Sequence, residues 1–235
     1  MMFAPSFSRM TLPARAPHRA ISVAQPAPPS RSVSARPIPA WKRPLDLALT
    51  LPGLLALAPV FLLIALAVRL SSPGPVFFVQ RRIGIGGRPF GMIKFRSMYR
   101  DAAERRAALL AQSDRAGICF KSRNDPRVTP VGRILRRLSL DELPQLLNVV
   151  AGQMSLVGPR PALPEEVAAY PERALGRLAV LPGITGPWQV SGRAEIGFDE
   201  MVELDLDYAR NPRLTVDLRC LLQTFSAVIS GRGAY

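Results

Sequence analysis

Histidine is almost absent from this chain, and that removes a large part of enzyme chemistry. The one histidine, His18, stands among prolines, serines and arginines near the N-terminus, so triads in which an imidazole carries the proton are unavailable. Cysteine is nearly as scarce. Cys119 and Cys220 lie far apart, with no CxxC and no Cys/His cluster; this excludes a disulfide framework and a structural zinc site and suits a reducing compartment. Acids are few: 17 Asp and Glu face 31 Lys and Arg, for a net charge of +14. Such an excess calls for anionic partners, whether nucleic acid, acidic lipid or a phosphorylated substrate, without choosing among them. The standard nucleotide loops are missing too. In Gly84-Ile85-Gly86-Gly87 a proline, Pro89, stands where the third glycine of G-x-G-x-x-G belongs, and no G-x-x-x-x-G-K-[ST] occurs. A tight turn is the better reading of that stretch.

What the chain does contain falls into three parts. Residues 1–40 are rich in Pro, Ser, Ala and Arg and have no apolar periodicity, the composition of a disordered basic arm. Leu47 to Val68 then carries no charge, enough to cross a bilayer, which takes ~20 apolar residues. Pro52-Gly53 and Pro59 interrupt this run, and Lys42, Arg43, Arg69, Arg81 and Arg82 make both flanks basic. A proline within a helix removes a backbone hydrogen bond and bends it, and positive flanks stay on the cytoplasmic side. A re-entrant hairpin over residues 41–72, bent at Ala58-Pro59, satisfies both facts; a straight span satisfies only the length.

Residues 73–235 read as a small mixed α/β domain. Val76 to Val79 and Phe90 to Phe95 are short strands, and helices are expected over Asp101 to Gln112, part of Arg133 to Val150, and Glu165 to Leu178. Leu214 to Ile229 places Leu218, Leu221, Leu222, Phe225 and Ile229 on one stripe. That stripe suits a core face or, in a membrane-bound protein, an interfacial helix.

The densest polar cluster is RILRRLSLDELPQLLNV, from Arg133 to Val149. Asp141 and Glu142 are adjacent carboxylates at the mouth of an apolar helical run. Ser139 to Glu142 fits the capping box S-x-x-E, a purely structural role. Pro144 fits better if the helix begins at Asp141 or Glu142. In either case a carboxylate sits where the helix dipole favours its ionised form and where free N–H groups receive phosphate. Arg133, Arg136 and Arg137 precede the pair, and Arg160 and Arg193 stand in the turn-rich MSLVGPRP and PGITGPWQVSGR; guanidinium groups so placed suit phosphate oxygens. Asp101 and Glu104 form a second acidic pair, at the start of a charged helix, and are read as structural.

Taken in order, KFRSM, NDPRVTPVGRILRRLSLDELPQLLNV, MSLVGPRP, PGITGPWQVSGR and DLDYARNPRLTVDLRCLLQT strongly resemble the monotopic phosphoglycosyl transferases among bacterial sugar transferases, from about Trp41 to the end of the chain. The resemblance implies transfer of a sugar 1-phosphate from a UDP-sugar to undecaprenyl phosphate, with release of UMP. This is the initiating step of exopolysaccharide, O-antigen or glycan synthesis at the cytoplasmic face of the bacterial inner membrane. It implies a catalytic dyad at Asp141 and Glu142, with Asp141 the nucleophile that forms an aspartyl-phosphosugar. It also implies phosphate-binding roles for Lys94, Arg136, Arg160 and Arg193, and Mg2+ held at Asp141. The role of Glu142 stays open between orienting the metal or nucleophile and acting as a base. Two departures stand out. The Ser-Pro pair at which the family's membrane helix breaks is Ala58-Pro59 here, and Pro187-Trp188-Gln189 replaces the more usual Trp-Ala-Gln. UDP-sugar, polyprenyl phosphate and inner-membrane lipid are thus the expected partners, with no nucleic acid. The rival reading is a non-enzymatic basic membrane protein that binds acidic lipid or nucleic acid.

Overall fold

The computed structural model describes residues 33–102, 125–191 and 196–230. The backbone stays helical from Lys42 to Ser71 (α1), with Pro52 and Pro59 inside the helix. The expected bend at Ala58-Pro59 therefore does not break the helix into two. Its burial pattern divides it instead. Lys42, Asp46 and Thr50 are buried at one end and Ile64 and Val68 at the other, while no residue from Leu51 to Leu63 is.

An antiparallel hairpin follows: β1 (Phe77–Ile83) pairs with β2 (Pro89–Phe95), from Phe77 opposite Phe95 to Ile83 opposite Pro89. The turn between them is the expected tight one. Gly86 has φ 67°, which glycine alone adopts without strain, and the Gly84 N–H closes the loop on the Arg88 carbonyl at 2.8 Å. After it come α2 (Pro130–Arg137), a 3-10 turn (Leu140–Glu142), and α3 (Gln145–Val150). Thr129 caps α2 by accepting the Gly132 N–H, and Pro130 occupies its first turn. A second, parallel pair joins β3 (Ser155–Val157) to β4 (Gly183–Thr185). Between these strands lie α4 (Pro164–Ala168) and a 3-10 segment (Glu172–Ala179); α5 (Pro187–Ser191), α6 (Phe198–Arg210) and α7 (Leu214–Ser230) complete the domain.

This is the mixed α/β domain that the sequence calls for. With such small sheets, helices supply most of the core. Ile83, Tyr170, Trp188, Met201, Val202 and Leu206 pack as one cluster, and Ile64, Val68, Phe95 and Leu135 fasten the second half of α1 to β2 and α2.

Several expectations need correcting. The helix expected over Glu165 to Leu178 is two pieces, because the chain is extended at Pro171. Residues 33–40, assigned to the disordered arm, lie on the domain: Arg36 N–H donates to the Ala179 carbonyl at 2.7 Å, and Val33 packs on the core. The stripe on α7 does not face the core, since Leu218, Leu222 and Phe225 are exposed, while the helix buries Asp217 and Cys220. Three flanking cations counted toward membrane topology are engaged by the protein. Lys42 pairs with Asp217, Arg43 donates to the Val149 and Val150 carbonyls, and Arg82 is buried. The Asp101–Gln112 helix, Glu104, Arg193, His18 and Cys119 lie outside the described residues.

Candidate active site

Three segments converge on Glu142. From β2, Lys94 Nζ donates to Glu142 Oε1 at 2.7 Å; from the loop after β3, Arg160 stands 3.8 Å from the same oxygen. Lys94 reaches it because strand alternation turns its side chain away from buried Phe95. Lys94, Glu142, Gln145 and Arg160 line one recess with Met92 and Gln189. A neighbouring recess beyond Arg160, lined by Tyr170, Arg177 and Leu178, has no acid among its lining residues.

The local chain explains how two adjacent carboxylates come to differ. Ser139 has φ 55°, an uncommon left-handed conformation for a residue with a Cβ, and its side chain makes no cap hydrogen bond. The capping box read from the sequence is therefore not formed. The kink at Ser139 ends α2 and starts the 3-10 turn, and Pro144 then precedes α3 without wasting a donor. In this turn Asp141 is 7% exposed. Burial holds the Asp141 proton more tightly than usual; Lys94 and Arg136 pull the other way, and the neighbouring charge of Glu142 adds to the upward push. The helix dipole expected to favour the ionised form is thus outweighed by desolvation. Glu142 goes the opposite way. Burial would raise it too, but Lys94, Arg160 and Arg82 bring it down to about 2. Glu142 is thus held ionised by its cations, while burial favours the protonated form of Asp141.

Of the residues singled out from the sequence, Lys94, Arg160, Asp141 and Glu142 are together, and Arg136 acts on Asp141 through its charge. Sequence reasoning missed three contributors. Arg82 lies behind Arg160, donating to the Pro161 carbonyl at 2.9 Å and to Gln80, with Glu166 at 3.9 Å. Burial and the nearby charge of Arg160 lower it to about 10. Asn148 binds the outer edge of β2, accepting the Ile93 N–H at 3.0 Å and donating to the Gly91 carbonyl at 2.8 Å. Gln145 lines the recess. Arg82, Asn148 and Gln145 carry no sequence signal without the fold, since Arg82 and its neighbour Ile83 are both buried. The glycines of the two turn-rich motifs also gain a reason. A Cβ on Gly158 or Gly183 would collide with the backbone of the other's loop, so these glycines let the Arg160 loop lie against the β4 loop.

Among the described residues no group of three or more His, Cys, Asp or Glu side chains could enclose a metal. The pair present does fit one arrangement. Mg2+ needs only one or two carboxylates when substrate phosphates complete its shell, and Glu142 is already taken by Lys94. Asp141 is thus the carboxylate left for such an ion.

A carboxylate pair with Lys94 and Arg160 at one of its oxygens suits phosphate chemistry, and the same domain carries a helix long and apolar enough to cross a membrane. The chain belongs to a known family of that kind: residues 38–231 match the bacterial sugar transferase family. It is 41% identical over 212 residues to the exopolysaccharide production protein ExoY of Rhizobium meliloti (strain 1021), covering 88% of this chain and 94% of that protein. It is 42% identical over 202 residues to the UDP-glucose:undecaprenyl-phosphate glucose-1-phosphate transferase of Escherichia coli (strain K12), covering 83% of this chain and 41% of that one. The undecaprenyl-phosphate galactose phosphotransferase of Salmonella typhimurium (strain LT2) is 39% identical over 198 residues, again with 83% of this chain and 41% of the relative covered. The chain thus spans nearly all of ExoY and about two fifths of the two transferases.

Proposed function

We propose that this protein transfers a sugar 1-phosphate from a UDP-sugar to undecaprenyl phosphate and releases UMP, in two steps through Asp141. The observation that carries the reading is the division of labour at the dyad: Glu142 fixed by Lys94 at 2.7 Å, and Asp141 beside it on the same turn with its proton held more tightly by burial. In the first step an Asp141 carboxylate oxygen bonds to the β-phosphorus of the UDP-sugar as the phosphoanhydride bond breaks and UMP departs. In the second an oxygen of the lipid phosphate bonds to that phosphorus and the aspartyl–phosphorus bond breaks, restoring the carboxylate. A carboxylate nearing a diphosphate meets repulsion of about 4 kcal/mol per pair of unit charges at ~4 Å and an effective dielectric of ~20. Lys94, Arg136 and Arg160 offset it with positive charge already in place, and Arg193 belongs to the same set by its motif. Mg2+, held by Asp141 and the phosphates when bound, supplies further charge for the leaving group. Glu142 holds Lys94 and Arg160 in position for the phosphates.

The anchor fits the same reading. Both ends of α1 are docked on one domain, through Lys42 to Asp217 at 2.6 Å and through Ile64 and Val68 in the cluster with Phe95. The stretch from Leu51 to Leu63, which buries no residue in the domain, is the part most open to lipid. Both ends of the helix then stand on one side of the membrane, the cytoplasmic face of the inner membrane, where UDP-sugars are found. The family name and the exopolysaccharide relative favour polysaccharide initiation as the setting.

Incubation with a UDP-sugar labelled in the sugar, without lipid acceptor, tests the proposal. Stoichiometric UMP release and label retained on an Asp141 peptide are expected, with both lost in Asp141→Asn. UMP release that strictly requires the lipid, with no label on protein, would mean direct transfer and end the two-step reading.

A further inference from the structure

The start of β1 breaks the pattern of a strand with one covered face. Phe77, Phe78 and Val79 are 44%, 50% and 61% exposed, although alternation sends Phe78 to the opposite face from the other two. Three consecutive apolar residues open to solvent at a sheet edge are an aggregation hazard unless something covers them. Their position says what does. The Phe77 ring stacks on Phe95 with centroids 5.3 Å apart, and Phe95 meets Phe61 of α1, also at 5.3 Å. Phe61 is not at the end of α1. It lies ten residues before Ser71, about 15 Å along the helix axis, beside the exposed Leu62 and Leu63. The root of the hairpin therefore meets α1 over its last three turns, from Phe61 to the exit, where Arg96 donates to the Val68 and Ser72 carbonyls. Any plane that immerses Leu62 and Leu63 brings the Phe77 ring near its boundary. Arg69 at the last turn of α1 and Arg81 further along β1 continue this apolar surface with positive charge.

We propose that Phe77–Val79 is a second membrane contact, seated in the leaflet that α1 enters, with the bilayer itself as its occupant. The inference rests on the membrane reading of α1 given above. Its consequence is mechanical. Phe78 stands opposite Lys94 in the hairpin register, and Lys94 holds Glu142. The strand pair that carries the site's lysine is thus itself seated on lipid, which places the recess at the height of a phosphate on an isoprenoid in that leaflet.

Spin labels test this in nanodiscs of mixed zwitterionic and anionic lipid, with Cys119→Ser removing a competing thiol. Labels go on Phe78→Cys, Val79→Cys, Leu63→Cys in α1 and Glu200→Cys on the acidic first turn of α6. Oxygen accessibility relative to a water-soluble nickel chelate should be several-fold higher at positions 78 and 79 than at 200, and highest at 63. Values at 78 and 79 equal to those at 200 overturn the proposal, as does concentration-dependent dipolar broadening at 78, which would mark a second copy as the occupant. A label at 63 that behaves like the one at 200 would defeat the reading of α1 itself, a separable failure. Should the label at 78 destabilise the protein, Phe78→Trp with brominated-lipid quenching answers the same question: added quenching over the unsubstituted protein supports the contact, and none refutes it.

Discussion

Lys94 Nζ and Glu142 Oε1 meet at 2.7 Å, and this pair joins the β1–β2 hairpin to the turn that carries Asp141. Both side chains are largely withdrawn from solvent, so the bond is charge-assisted and weakly screened. Lys94 therefore has two tasks: it holds Glu142 still and it offers positive charge where a diphosphate would lie.

Lys94→Met removes both. A hydrogen bond to a charged group is worth about 1.5–3 kcal/mol, so initial rates of UMP release should fall by roughly 10- to 100-fold at about 1.4 kcal/mol per tenfold. Lys94→Arg keeps the charge but not the compact geometry, and should recover part of the loss. A wild-type rate in Lys94→Met would show that the pair has no part in the reaction.

The second prediction concerns Asn148, which is 1% exposed and serves the β2 edge as a neighbouring strand would. Its amide also donates to Gln153 at 2.7 Å. Asn148→Leu preserves size but leaves the Ile93 N–H and the Gly91 carbonyl without this partner, at about 1–3 kcal/mol for each buried group. A fall in melting temperature of about 10 °C is expected, from the usual 2–4 °C per kcal/mol for a chain of this size. Asn148→Asp should be worse, because it buries a negative charge facing the Gly91 carbonyl oxygen. Thermal unfolding of the purified protein in detergent measures both.

The hairpin, its turn and the helix at Leu214 were legible because alternation, glycine placement and helical spacing act locally. Lys94, Asp141, Glu142 and Arg160 were legible through their motifs, and the fold brings them together. What stayed hidden depends on partners distant in the chain. Lys42 and Arg43 read as topology signals, yet they bond Asp217 and the Val149–Val150 carbonyls. The α7 stripe was open between a core face and an interfacial one, because spacing reports amphipathicity and not which side is dry; its exposed leucines rule out the core face. The capping box at Ser139 satisfied a four-residue pattern, but the left-handed backbone at that residue points the chain elsewhere. The opposite proton affinities of Asp141 and Glu142 follow from burial and from cations on four other segments, none of them adjacent in sequence.

The third prediction addresses the Lys42–Asp217 pair, whose side chains are 4% and 2% exposed. Lys42 also donates to Tyr208 Oη and the Val157 carbonyl, both at 2.9 Å. Lys42→Met leaves Asp217 buried without its cation, a change that typically costs 3–5 kcal/mol. The first half of α1 should come loose, which limited proteolysis near Trp41 would report alongside a lower melting temperature. The double variant Lys42→Met with Asp217→Asn removes the orphaned charge and should regain much of the loss. If the double variant is no better than the single one, packing rather than charge holds the helix end.

The last prediction follows the Arg177–Asp205 pair in the core, where Arg177 Nε donates to Asp205 Oδ2 at 2.8 Å. Burial pushes Asp205 up to about 6 against the opposing pull of Arg177. A carboxyl raised above its unfolded value binds its proton more tightly when folded. Its contribution to stability is therefore complete below about pH 4, where both states are protonated, and is lost as pH rises through about 6. A shift of about two units corresponds to on the order of 3 kcal/mol across that window. Asp205→Asn cannot titrate, although it also weakens the hold on Arg177, so the two proteins should differ by a constant offset above about pH 7. Between pH 4 and 6.5 the melting temperature of the natural chain should fall relative to that of the variant. Parallel curves over that range would show that Arg177 keeps Asp205 ionised throughout and that the pair is a buried salt bridge at every pH at which the protein folds.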